Sequence, residues 1–142
     1  MPSTQQFTDI DAPIEQVWTR FNNFHDLSWA PGVITAMQKV GDINGSQVGA
    51  KRILNEAFHE TLVEIDHDRY ALKYSIDDGP SPVSKQEVSN YYGVVRLSPA
   101  EQGQGTHVEW SSSWDADVED AVEFCHAIYV ALLKELQASF EI

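Results

Sequence analysis

The chain has 142 residues, 42% of them hydrophobic and 22% charged, which excludes a disordered or fibrous protein and suits one compact domain over 1–142. With 22 acidic residues against 9 Lys plus Arg, the formal net charge is −13; it repels phosphate backbones and anionic headgroups, so neither nucleic acid nor a membrane is expected as a partner. A single cysteine, Cys125, leaves no internal disulfide, and without a basic-then-apolar leader or an apolar run near the ~20 residues of a membrane span, a cytoplasmic location is expected.

A short strand is expected around Thr4 to Ile10. DAPIEQVWTRF then reads as a helix start, with Asp11 as N-cap, Pro13 in the first turn, and Ile14, Val17, Trp18 and Phe21 at helical spacing. A second short helical turn is expected near Phe24 to Trp29, stopped by Pro31. Six strands follow: VITAMQKV, AKRILNE, FHETLVEID, YALKYSID, QEVSNYYGVVRL and THVEWSSSW. They are separated by the turn-rich stretches GDINGSQVG, HDR, DGPSPVS and SPAEQGQG. From about Asp117 to Phe140, residues Val118, Val122, Cys125, Ile128, Tyr129, Leu132, Leu136 and Phe140 recur at steps of three and four, the stripe of a long amphipathic helix.

This order describes an α+β fold: a curved antiparallel sheet of about seven strands wrapped around a long C-terminal helix, with two short helices after the first strand. A helix covers only part of a concave sheet, and the space left between them is a usual place for a small-molecule site. In YALKYSID the apolar set Leu72, Tyr74 and Ile76 should look inward, as should Val108, Trp110, Ser112 and Trp114 in THVEWSSSW. RILNEAFHETLVEID resists this rule. Phe58, Glu60, Leu62 and Glu64 alternate with Ala57, His59, Thr61, Val63 and Ile65, so each face mixes polar with apolar groups.

The stretches IDAPIEQVW, WAPGV, VGAKR, ETLVEID and VEWSSSWD, spread over nearly the whole chain, resemble the polyketide cyclase/dehydrase branch of the START-like helix-grip superfamily, SRPBCC. The order G-A-x-R, E-x-L-x-x-x-D, Y-x-G and W-S is most similar to bacterial relatives of plant lachrymatory-factor synthase. The resemblance implies that Glu60 and Leu62 face inward, with Glu64 on the same face, and that Arg52 faces the cavity. It also implies a cofactor-free proton transfer carried by Arg52 and Glu60 and assisted by a tyrosine. By the Y-x-G spacing that tyrosine is Tyr91, although a slip of one residue in the long PSPVSKQEVSNYYG segment would exchange it for Tyr92.

Leu62, Tyr74, Trp110, Ser112 and Tyr129 are the expected ligand-binding residues, with a hydrophobic small molecule as the partner and a monomer or homodimer as the assembly. Arg52 and Glu60 could instead form a ladder pair that satisfies only itself. No metal is expected, because His25, His59, His67, His107 and His126 fall on separate elements without ligand spacing, and no G-x-S-x-G elbow accompanies Ser112. Cys125 reads as a small core hydrophobe. The sequence leaves two functions standing: a small acid–base enzyme, and a carrier whose cavity anchors one polar group.

Overall fold

A computed structural model describes residues 2–100, 105–117 and 119–140. The strands are β1 (Ser3–Ile10), β2 (Met37–Val40), β3 (Lys51–Leu54), β4 (Phe58–Asp66), β5 (Ala71–Asp78), β6 (Ser89–Pro99) and β7 (Thr106–Asp115), and the helices are α1 (Ile14–Trp18) and α2 (Ala121–Ala138). They form one seven-stranded sheet in the order β1-β7-β6-β5-β4-β3-β2, with every pair antiparallel. The chain leaves one edge through α1 and the loops up to residue 36, reaches the opposite edge, and returns strand by strand.

The inner face is built by alternation. Leu72 and Tyr74 on β5, Tyr91, Val95 and Leu97 on β6, and Val108, Trp110, Ser112 and Trp114 on β7 are all buried, whereas their outward neighbours are at least partly exposed. Against this face α2 buries Ala121, Cys125, Tyr129, Leu132, Leu133 and Leu136. Each leucine withdrawn from water there stabilises the fold by about 1.5–3 kcal/mol. This apolar stripe, not helix propensity, fixes α2 to the sheet.

The mixed pattern of β4 has a structural cause. Leu62 pairs with Tyr74 but Glu64 pairs with Lys73, so Val63 is an extra, bulged residue. The bulge inverts the phase: Glu60 and Leu62 are buried before it, and after it Ile65 packs on the core while Glu64 is exposed. Glu64 is therefore not on the inner face, contrary to simple alternation. A hairpin with positive φ at Asn55 (53°) and Glu56 (59°) joins β3 to β4, the geometry of a tight primed turn.

Other boundaries also differ. Asp11 does not cap α1; Pro13 does, with an extended backbone (φ −62°, ψ 150°) and a carbonyl that accepts from Gln16 and Val17 N–H. Residues 24–29 do not form a second helix but separate turns, such as Asp26 N–H to Asn23 O and Ala30 N–H to Leu27 O. Strand β2 begins only at Met37, because the Asn55 side chain holds the preceding segment: Oδ1 accepts from Thr35 and Ala36 N–H, and Nδ2 donates to Val33 O. Helix α2 starts at Ala121. Val118, expected on its stripe, and the loop residues Glu101 to Gln104 lie outside the described residues.

Candidate functional site

Strand register brings the sequence-expected residues together. Arg52 on β3 pairs with Glu60 on β4, Glu60 with Ile76 on β5, and Ile76 with Tyr91 on β6, so the four side chains form one row across the sheet. A second bulge makes this possible: His59 faces Asp78 while Glu60 faces Ile76, leaving Asp77 as the extra residue. The next row runs Leu62, Tyr74, Gly93, Ser112 and Thr4. Tyr91 is 2% exposed whereas Tyr92, on the convex face beneath Lys73, is 36% exposed.

Between these rows and α2 lies a cavity of about 200 Å³. Among the described residues Arg52 and Glu60 are its only charged lining groups; Tyr74, Tyr91, Trp110 and Tyr129 contribute the aromatic polar wall. Apart from Asn55 the rest is mainly apolar, and part of it comes from residues that sequence reasoning did not assign to a site: Val33 and Ile34 in the loop fastened by Asn55, Val83 in the Gly/Pro-rich loop, and Phe58 stacked on Phe124 at 6.5 Å. Irregular loops carry no hydrophobic period, so only the fold shows which of their residues meet the cavity. Two expected ligand-binding residues do not line it. Leu62 is fully buried in the core, and the Ser112 hydroxyl is bonded to Thr4 Oγ1 at 2.6 Å.

Arg52 and Glu60 are only 7% and 6% exposed. Arg52 Nε donates to Glu60 Oε1 at 2.8 Å and Nη2 approaches the same oxygen at 2.7 Å. Nη1 donates to Phe24 O at 2.9 Å, and the guanidinium lies 3.7 Å from the centre of the Phe24 ring. Each guanidinium nitrogen thus has a partner inside the protein. Glu60 Oε2 has none among the described residues. Burial pushes the Glu60 carboxyl above its ordinary value, outweighing the Arg52 charge that pulls it down, and the Asp77 charge pushes it further up.

Four aromatic side chains form a hydrogen-bonded chain beside this pair. Trp110 Nε1 donates to the Tyr74 hydroxyl at 3.0 Å, Tyr74 donates to the Tyr129 hydroxyl at 2.9 Å, and Tyr129 and Tyr91 share a proton between hydroxyls 2.5 Å apart. Tyr91 is also stacked on Trp114 at 5.1 Å with the rings 6° from parallel. Burial raises the pKa of all three phenols, so they stay protonated as donors at neutral pH. Gly93 explains the Y-x-G spacing: a Cβ at that position would fall within the Tyr74 ring, which lies across the Gly93 backbone. Among the described residues no group of three or more His, Cys, Asp or Glu could hold a metal ion, and no helix is long and apolar enough to cross a membrane.

The sequence pattern of the family described as polyketide cyclase/dehydrase and lipid transport matches residues 1–141. The chain belongs to this family. A solved structure of a protein from Nitrosospira multiformis is similar at 44% identity and a TM-score of 0.96, covering 99% of this chain and 97% of that one. The XoxI protein from Bacillus cereus is similar at 27% identity and a TM-score of 0.80, with 99% and 96% covered. Ginseng major latex-like protein 151 from Panax ginseng shares the fold at 16% identity and a TM-score of 0.76, over 96% and 95% of the two chains. No curated protein matches. The chain thus has the helix-grip, SRPBCC architecture that its motifs resemble, a scaffold that positions a cavity without specifying its chemistry.

Proposed function

We propose that this protein binds a small, largely apolar molecule in the cavity and acts on it as a cofactor-free acid–base catalyst, with Glu60 carrying the proton. The family supports ligand binding. The observation that carries the catalytic reading is the asymmetry of Glu60: Arg52 holds one carboxylate oxygen, while the other has no protein partner in an apolar cavity. A carboxyl raised by burial lies nearer the pH at which proton transfer is efficient, and the second oxygen is the one able to exchange a proton with a ligand. Arg52 positions the carboxylate, holding Glu60 Oε1 through Nε and Nη2 while Nη1 donates to Phe24 O.

A carrier function is the second reading, favoured by the direct Arg52–Glu60 ion pair. The two separate in one experiment. Protein purified under native conditions is examined by mass spectrometry for a retained compound, and the conversion of that compound is then followed. Ile128→Trp, which fills the cavity beneath α2, should abolish both retention and conversion. Glu60→Gln should retain the compound but convert it about 10²–10⁴-fold more slowly. Retention with no conversion by the parent protein assigns the cavity to a carrier.

A further inference from the structure

The aromatic chain holds one more donor than it uses. Trp110 N–H and the hydroxyls of Tyr74, Tyr129 and Tyr91 supply four protons, and the three bonds linking the four groups consume three. If Tyr129 donates to Tyr91, the Tyr91 proton is left; if Tyr91 donates to Tyr129, the Tyr129 proton is left. Either way one phenolic proton remains, on a ring that lines the cavity. Its protein neighbours at Tyr91 are the Cys125 thiol, a weak acceptor, and the Ser112 hydroxyl, which is bonded to Thr4 and keeps an accepting lone pair; a carbonyl oxygen in the cavity competes with these two for the proton. Each bond upstream polarises the next and strengthens the donor at the end.

The charges on the same wall restrict what can accept that proton. Arg52 is already charge-paired with Glu60, so a ligand carboxylate would be a second anion beside a single cation. Volume sets a further limit. A cavity of about 150 Å³ holds one benzene, so about 200 Å³ accommodates one ring with a short substituent, not an extended polycyclic chain.

From this donor count, the charge-paired guanidinium and the cavity volume we infer that Trp110, Tyr74, Tyr129 and Tyr91 act together as one hydrogen-bond donor for a neutral oxygen acceptor on a molecule of one-ring size. Tyr129, the only one of the four on α2, is the positioning residue that joins the two sheet tyrosines. This inference rests on the cavity being the ligand site and names the class of molecule it takes: neutral, apolar for most of its surface, with a carbonyl-like oxygen turned to the phenols.

Three probes of nearly equal shape test it: acetophenone, benzoate and ethylbenzene, titrated calorimetrically into the full chain at neutral pH. Acetophenone should bind, benzoate about tenfold more weakly or worse because it adds a second buried anion beside the Arg52–Glu60 pair, and ethylbenzene more weakly than acetophenone because it offers no acceptor. The infrared carbonyl stretch of bound acetophenone should lie below its value in an apolar solvent. Tyr129→Phe should reduce that displacement, as should Tyr91→Phe if the first variant folds poorly, while Tyr92→Phe on the convex face leaves it unchanged. Benzoate binding as tightly as acetophenone, or a carbonyl stretch unmoved by both Tyr129→Phe and Tyr91→Phe, overturns this inference and leaves the cavity as a ligand site. If none of the three probes binds the parent protein, the ligand-site reading falls together with it.

Discussion

Removing the Arg52 guanidinium strands a buried carboxyl, and removing the Glu60 charge strands a buried guanidinium. Arg52→Ala should therefore destabilise the protein by about 3–5 kcal/mol in urea denaturation. The double variant Arg52→Ala/Glu60→Gln should lose less than the sum of the two single changes, by a coupling of about 0.5–3 kcal/mol, and strict additivity would show that the pair does not act as a unit. Protonation adds a pH signature. Because the folded-state pKa of Glu60 is raised above its ordinary 4.5, the folded state binds the proton more tightly than the unfolded one. The stability this contributes is fully present below about pH 4.5 and is lost as pH rises through the raised value. The advantage of the parent over Glu60→Gln should accordingly shrink above pH 4.5; an advantage that grows with pH would mean that Arg52, not burial, governs the carboxyl.

At the scale of single elements, the site depends on where strands keep or break their alternation. Tyr74 and Trp110 were legible as inward because β5 and β7 alternate regularly around them, Tyr91 came from the Y-x-G resemblance with Tyr92 left open, and the α2 stripe was legible from its spacing. On β4 alternation was misleading beyond Leu62, since a bulge at Val63 leaves no mark in residue type and sends Glu64 outward. Leu62 was read correctly as inward but not as packed into the core away from the cavity, a matter of position along the strand that periodicity does not encode. The bonds of Tyr129 to two different strands are tertiary in the same sense. The Y-x-G spacing was visible but its reason was not: Gly93 clears the space for the Tyr74 ring. Gly93→Ala should displace that ring and break the Trp110–Tyr74–Tyr129 links. Overpacking of this kind costs about 1–3 kcal/mol. The checks are a lower melting temperature and a changed tryptophan fluorescence spectrum; a melting temperature equal to the parent's would contradict the close approach of ring and backbone.

Across the whole molecule, the fold does two things for the site. Seven antiparallel strands gripping one helix build a cavity whose polar groups come from the rigid sheet and α2, while loops fastened by residues such as Asn55 supply much of the apolar lining. The same grip buries one acid and one base side by side, and that burial raises the Glu60 pKa towards the range useful for proton transfer. Both a catalyst and a carrier need the cavity; only the catalyst needs a proton to pass through Glu60. The direct measurement is deuterium uptake from D2O into the compound retained by the protein, followed by mass spectrometry for the parent and for Glu60→Gln under saturating binding. The account predicts uptake by the parent and a rate about 10²–10⁴-fold lower in Glu60→Gln with the compound still bound. Equal uptake by the two proteins, or none by the parent, would contradict the assignment of Glu60 as the proton carrier.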